Sequence, residues 1–312
     1  MINYRILIEK WKHKDFDFRI DVVENFCEKN NLYGIDGIRS NLNYVKKIIA
    51  DKKIEGNKGL LKSFFETAFT IWALDKLGKS SLADTVAKNM MVGGDFGDTS
   101  AYQSNESGNY FRNFELQLAL ALRLLEGGLD FNEGGEGEPD FILTSETFVI
   151  EIKAPASKLA LLQDILKAVK QIELSGKMGV IVVSLDHMVA RGMIQNAMDD
   201  LPEQIQDIIL SVLPVDSNFN TIGVIAEWVK WDEEQQHLST IQPIMNTQKH
   251  SNLENKEIIK KVWQALSFDD ISEFPIFHRE VTKKFEYEMI SISNMDISTV
   301  GREFYESLWG EN

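Results

Sequence analysis

One stretch near the middle of the chain alternates between helical and strand periodicity, and this succession constrains the fold more than any other feature. Apolar residues recur every three or four positions in residues 111–125 and 159–174, which predicts two amphipathic helices. Two short β-rich runs, 141–143 and 147–150, lie between them and predict a hairpin. The apolar run 179–183 follows and predicts a buried strand. Helix, strand, strand, helix, strand is an α/β order.

The flanking segments suggest the domain organisation. Residues 1–92 predict a mainly helical N-terminal domain, which ends before a glycine-rich loop that begins at Gly93. We therefore expect a second domain over residues 93–312, with its core at about 110–185 and a C-terminal α/β extension. A short β-rich segment, Leu129-Asp130-Phe131, is a candidate for an additional strand before the hairpin.

Composition excludes several classes of protein. The single cysteine, Cys27, rules out an internal disulfide framework and multi-cysteine zinc sites, and it favours a reducing compartment. No apolar run approaches the roughly 20 residues of a membrane helix, and the N-terminus lacks a signal-peptide core. We expect a cytoplasmic protein with no membrane partner.

The net charge of the chain restricts the surfaces with which it could bind a nucleic acid. The formal charge of −15 argues against a general nucleic-acid coat, because a uniformly negative surface repels phosphate. The charge is uneven, however, since residues 1–66 carry 13 lysines and arginines against 10 acidic residues. The N-terminal region and the lysine-rich helix predicted at 159–174 are therefore the candidate phosphate-tracking faces.

The strongest candidate site combines Glu138-Pro139-Asp140 with Glu151-Ile152-Lys153. In the predicted hairpin Asp140 opens the first strand and Glu151 closes the second, so the two carboxylates meet. Two carboxylates and a main-chain carbonyl are hard oxygen ligands of the kind that Mg²⁺ prefers. Lys153, on the same strand face as Glu151, would neutralise charge on a phosphate or orient an attacking water.

This pattern resembles the signature of the PD-(D/E)XK nuclease superfamily, which has the restriction-endonuclease-like fold. The family core is helix, three-stranded meander, helix, strand, and residues 110–185 match this α-β-β-β-α-β order with a mixed central sheet flanked by helices. Other acid-x-lysine triplets occur, such as Asp51-Lys52-Lys53, but only Glu151-Ile152-Lys153 ends a β-rich run behind a Pro-Asp pair. An ordinary turn and a solvated strand face are the alternative explanation.

The resemblance implies roles for further residues. It implies that Asp140, Glu151, the carbonyl of Ile152 and Glu115 bind Mg²⁺, for which Mn²⁺ would substitute, and that Lys153 is catalytic with the three acids. It also implies nucleic-acid contacts on the helix after the lysine. That helix carries three polar residues on one side: Gln163, Lys167 and Lys170.

The resemblance implies a metal-dependent nuclease that hydrolyses phosphodiester bonds, with DNA favoured over RNA. Restriction, anti-phage defence and DNA repair all fit such an enzyme. The alternative is a non-catalytic subunit that uses the same fold to bind a partner protein or a nucleic acid in a larger complex. A homodimer is also compatible with the sequence.

Overall fold

The computed structural model describes most of the chain up to residue 245 and three residues beyond it. The described residues are 4–32, 38–53, 58–84, 110–144, 148–190, 192–194, 201–213, 220–231, 237–245, 262 and 290–291. Among them, every helix is too short or too polar to span a lipid bilayer. They form two compact units: the chain passes from the first to the second between Glu126 and Gly127, and His237 also falls in the first.

The first unit is helical and packs around aromatic side chains. Trp11 is buried, and its ring centroid lies 5.5 Å from that of Phe69. Asp15 caps one helix by accepting a hydrogen bond from the Phe18 N–H at 2.8 Å. The principal helices are α1 (Tyr4–Lys12), α2 (Phe16–Lys29), α3 (Ile38–Ala50), α4 (Lys58–Lys76) and α5 (Tyr110–Glu126).

A mixed β-sheet organises the second unit. Strands β1 to β3 are antiparallel neighbours, and β3, β4 and β5 run parallel. Two further strands extend the sheet in chain order. The strands are β1 (Phe131–Glu133), β2 (Phe141–Leu143), β3 (Phe148–Lys153), β4 (Met178–Ser184), β5 (Thr221–Trp231), β6 (His237–Met245) and β7 (Ile290–Ser291). The helices are α6 (Lys158–Ser175), α7 (Asp186–Ala190) and α8 (Glu203–Val212).

The α/β class predicted from the sequence is confirmed. The order α5, β1, β2, β3, α6, β4 is the predicted one, although β1 starts at Phe131 rather than Leu129. The compact division differs from the boundary predicted at residue 92, because α5 packs against α4 and so belongs to the first unit. The predicted C-terminal α/β extension includes α8 and β5. Much of it lies outside the described residues.

The hairpin register sets the positions of the candidate site residues. Phe141 pairs with Ile150, and Ile142 pairs with Val149. One step further along the same antiparallel register, Asp140 lies opposite Glu151. The buried rings of Phe131 and Phe141, 4.5 Å apart, pack across β1 and β2 and hold this end of the sheet together.

A glycine-rich loop leads into the hairpin and depends on Gly134. The Gly134 N–H donates a hydrogen bond to the Asp140 carbonyl at 3.1 Å, so the loop closes on the first residue of the site. A Cβ atom at position 134 would lie 1.9 Å from the Pro139 carbonyl oxygen, which leaves room only for glycine. The Gly135 N–H donates to the Glu138 carboxylate at 2.8 Å.

The C-terminal end of α6 is tied to the start of β5 by Glu173. Its carboxylate accepts hydrogen bonds from the Asn220 N–H at 2.8 Å and from the Thr221 N–H at 2.9 Å. The Thr221 hydroxyl donates a further bond at 3.0 Å. Charge-assisted bonds of this kind are stronger than neutral ones, so they restrain α6 relative to the sheet.

We expect Gly134→Ala to destabilise the second unit by about 2 kcal/mol or more, because the new methyl group collides with backbone rather than with a flexible side chain. Urea unfolding measures the change. Gly135→Ala is the matched control, since its Cβ would lie 3.3 Å from the movable Glu138 carboxylate. Equal stability of the two variants would show that the loop does not need the close approach at position 134.

Candidate active site

Asp140 and Glu151 are held together by reciprocal hydrogen bonds across the hairpin. The Asp140 N–H donates to Glu151 Oε2 at 3.1 Å, and the Ile152 N–H donates to Asp140 Oδ2 at 2.7 Å. Each carboxylate therefore accepts a backbone N–H from the opposite strand. Glu151 is 1% exposed and Asp140 is half-buried. The structure thus brings together the two acids that the sequence paired.

Lys153 lies beside this pair and is held from two sides. Its ammonium group donates to Glu151 Oε1 and, at 3.3 Å, to Gln171 Oε1 on α6. Gln171 donates in turn from Nε2 to the Glu138 carbonyl at 3.1 Å. Both ends of the Gln171 amide are therefore used, and they connect α6, the glycine-rich loop and the catalytic candidate Lys153.

Burial sets the charge of the two acids. Loss of solvent and, to a smaller extent, the neighbouring Asp140 charge raise the pKa of Glu151 to about 7, against the opposing effect of Lys153. Burial also raises the pKa of Asp140. The hydrogen bond from Ile152 and the positive charges of Lys153 and Lys167 lower it, but their combined effect is smaller than that of burial. The pair therefore retains protons at a pH where exposed carboxyl groups have lost them.

The donor set fits one hard divalent cation. No group of three or more Asp, Glu, His or Cys side chains within the described part of the chain is arranged to hold a metal ion. An ion here would instead use Asp140, Glu151, the Ile152 carbonyl and water, and Mg²⁺ commonly keeps several waters. The raised pKa of Glu151, caused first by burial and then by the Asp140 charge, supports this fit, because a cation would neutralise the same buried negative charge as the proton does.

One edge of α6 contributes residues that sequence reasoning missed. Burial raises the pKa of Asp164, and the charges of Lys153 and Lys167 act on it in the opposite direction. Asp164 and Gln171 lie three residues before and four residues after Lys167, so the three share one helix edge. In the sequence, the only indication of this edge is the spacing of Asp164 and Gln171 around Lys167.

The other predicted residues are placed differently. Gln163 and Lys170 are exposed on the solvent face of α6, which also carries three exposed leucines: Leu159, Leu166 and Leu174. The backbone of Glu115 lies in α5, in the first unit, but its side chain lies outside the described part of the molecule. Its role stays a prediction.

Comparison with protein-family models, with curated proteins and with solved structures finds no match to this chain. Functional assignment therefore depends on the residues and geometry of the site itself.

The raised pKa of Glu151 predicts a stability that falls as pH rises. Between pH 4.5 and about 7, Glu151 loses its proton in the unfolded state and keeps it in the folded state. Rising pH therefore stabilises the unfolded state relative to the folded one. We expect the free energy of unfolding of the wild type, relative to Glu151→Gln, to decrease over this window by up to about 3 kcal/mol. Urea titrations without divalent metal measure it. If the stability of the wild type relative to Glu151→Gln instead increased with pH, the Lys153 ion pair would affect the pKa of Glu151 more than burial does.

Proposed function

We propose that this chain is a metal-dependent nuclease with a PD-(D/E)XK active site on a restriction-endonuclease-like core. One observation carries the proposal: a hairpin holds Asp140 and Glu151 together, with Lys153 beside them. This agrees with the resemblance of the sequence motif, and the element order α5, β1, β2, β3, α6, β4 supports it as well.

Asp140 and Glu151, with the carbonyl of Ile152, would hold Mg²⁺. The ion would supply Lewis-acid stabilisation of the charge that develops on a phosphate. The two carboxylates must lose their protons to bind it. Burial raises the pKa of both and that of Glu151 to about 7, so loss of the Glu151 proton depends on pH near neutrality. Backbone hydrogen bonds from the opposite strand orient both carboxylates, and the Lys153 ammonium group holds Glu151 as well.

Lys153 would neutralise negative charge on the scissile phosphate and orient the attacking water. Its side chain is 12% exposed, so solvent screens its charge only weakly at the site. Gln171 keeps the ammonium group at the end of β3, because it donates to the Glu138 carbonyl while accepting from Lys153. We regard Gln171 as a positioning residue.

DNA is the proposed substrate, on the resemblance of the motif. Lys167 is exposed, and its positive charge acts on Asp140 and Asp164, so it is the cation of α6 best placed for a phosphate near the site. Lys170 and Gln163 would contact the backbone further along the strand. Restriction, anti-phage defence and DNA repair are the proposed settings for such an enzyme.

A cleavage assay tests the proposal directly. Linear, circular and single-stranded DNA, and RNA, are incubated with Mg²⁺, Mn²⁺ or EDTA. We expect metal-dependent cutting that falls at least about 100-fold in Asp140→Asn and in Lys153→Met, because each change removes charge from the reacting centre. Lys158→Met is the matched control, since Lys158 is an exposed lysine on α6 that contacts Gln204.

Metal binding gives a second readout. Mn²⁺ should raise the melting temperature of the wild type at pH 8 and leave that of Asp140→Asn unchanged. Cutting that persists in both site variants would place the active site elsewhere. Absence of both cutting and metal-induced stabilisation would overturn the nuclease proposal.

Substitutions of Gln171 and Gln163 distinguish a residue that positions Lys153 from a residue that binds the substrate, on the same helix. We expect Gln171→Leu to lower the single-turnover cleavage rate about tenfold with DNA affinity unchanged, because Lys153 loses a restraint. Gln163→Leu should weaken DNA binding and leave that rate intact, since Gln163 is exposed on another face. Equal effects of the two substitutions on both quantities would contradict these separate roles.

A second candidate function is protein binding by a non-catalytic subunit. The exposed Leu159, Leu166 and Leu174 on α6 favour it, because an aligned row of exposed apolar side chains is typical of a contact surface. The two candidate functions depend on different residues: the nuclease depends on Asp140 and its neighbours, and the binding subunit depends on the exposed leucines. Loss of Asp140 removes activity from a nuclease, whereas only substitutions such as Leu166→Glu impair a binding subunit.

A further inference from the structure

The first unit contains a cavity that the proposed nuclease chemistry does not use. It has a volume of about 760 Å³ and lies among α1, α2 and α4. Pockets of about 300–1,000 Å³ are the usual size for small-molecule sites. The described residues that line it all belong to the first unit.

The wall of the cavity is largely apolar and partly aromatic. It includes Leu7 and Phe26, which are buried, and Phe18 and Trp72, which are half-buried. Trp72 packs against the buried Trp11 with ring centroids 5.4 Å apart, which limits its motion. A half-exposed ring on a fixed helix offers a flat apolar face to a bound molecule.

The charged residues that line the cavity are mostly positive, in a chain of net charge −15. Four lysines line it against two aspartates. Lys29 is paired with Asp84 at 2.6 Å, and Lys76 with Asp75 at 3.1 Å. Within the described part of the chain, the remaining two lysines, Lys10 and Lys14, are therefore an uncompensated positive charge.

Lys10 lies in the last turn of α1 and Lys14 two residues beyond its end, and both line the cavity. Among the described residues neither forms an ion pair. The Lys14 ammonium lies 4.2 Å from the centroid of the Phe18 ring, so a cation and an aromatic ring border the same space. By contrast, Lys12 on the same helix is paired with Glu9 and does not line the cavity.

We propose that this cavity binds a small organic anion with an aromatic body. The ring system lies against Phe18 and Trp72, and the anionic group lies between Lys10 and Lys14. Apolar lining provides contact area, while the two unpaired lysines select a negative charge over a neutral molecule of the same shape. The inference is independent of the nuclease proposal, because it uses only residues of the first unit.

A matched pair of fluorescent probes tests the site in the full-length protein. The anionic probe is 8-anilinonaphthalene-1-sulfonate, and the neutral probe is N-phenyl-1-naphthylamine, which has the same rings without the sulfonate. We expect the double variant Lys10→Gln/Lys14→Gln to weaken binding of the sulfonate about tenfold and to leave the neutral probe unchanged. High salt should weaken only the sulfonate.

Two further variants locate the probe. Lys12→Gln, with its lysine outside the cavity, should leave both affinities unchanged. Val22→Phe, which puts a ring into the cavity from α2, should weaken both probes, with circular dichroism as the check on folding. Sulfonate binding that is equal in the wild type and the double lysine variant would overturn the proposal, whether or not Val22→Phe folds. So would failure of the wild type to bind the sulfonate.

Discussion

The hairpin of β2 and β3 places the carboxylates of Asp140 and Glu151 side by side and away from solvent. Like charges repel most strongly where water is excluded. Each carboxylate accepts a backbone N–H from the opposite strand, and Lys153 supplies a positive charge. These contacts offset only part of the effect of burial, since the pKa of Glu151 still rises to about 7. The pair therefore favours a proton, and in the proposed enzyme a bound cation would neutralise the same carboxylates.

The elements around the hairpin keep this arrangement in register. Gly134 lets the loop close on the Asp140 carbonyl, and Glu173 ties α6 to the start of β5. Because α6 is restrained in this way, Gln171 reaches both Lys153 and the Glu138 carbonyl. The candidate site thus combines one local contact set within the hairpin with a second set that depends on packing between a helix and the sheet.

Charge is distributed differently in the two units. In the second unit acidic groups converge, and the lysines around them act mainly as partners. In the first unit the basic excess that the sequence shows is partly concentrated around an apolar cavity, where Lys10 and Lys14 remain without carboxylate partners among the described residues. A strongly acidic chain can therefore contain local sites for anions, because short-range charges dominate within a Debye length.

The sequence by itself determined the α/β class, the order of helices and strands, and the pairing of Asp140 with Glu151. Those features depend on hydrophobic periodicity and hairpin spacing, which act over a few residues. Only the tertiary structure decided that Asp164 and Gln171 adjoin Lys153, since that depends on the rotation of α6 about its axis. It likewise placed α5 with α4 in the first unit. The elements that a helix packs against are set by contacts between distant segments, and the local pattern of the chain does not encode them.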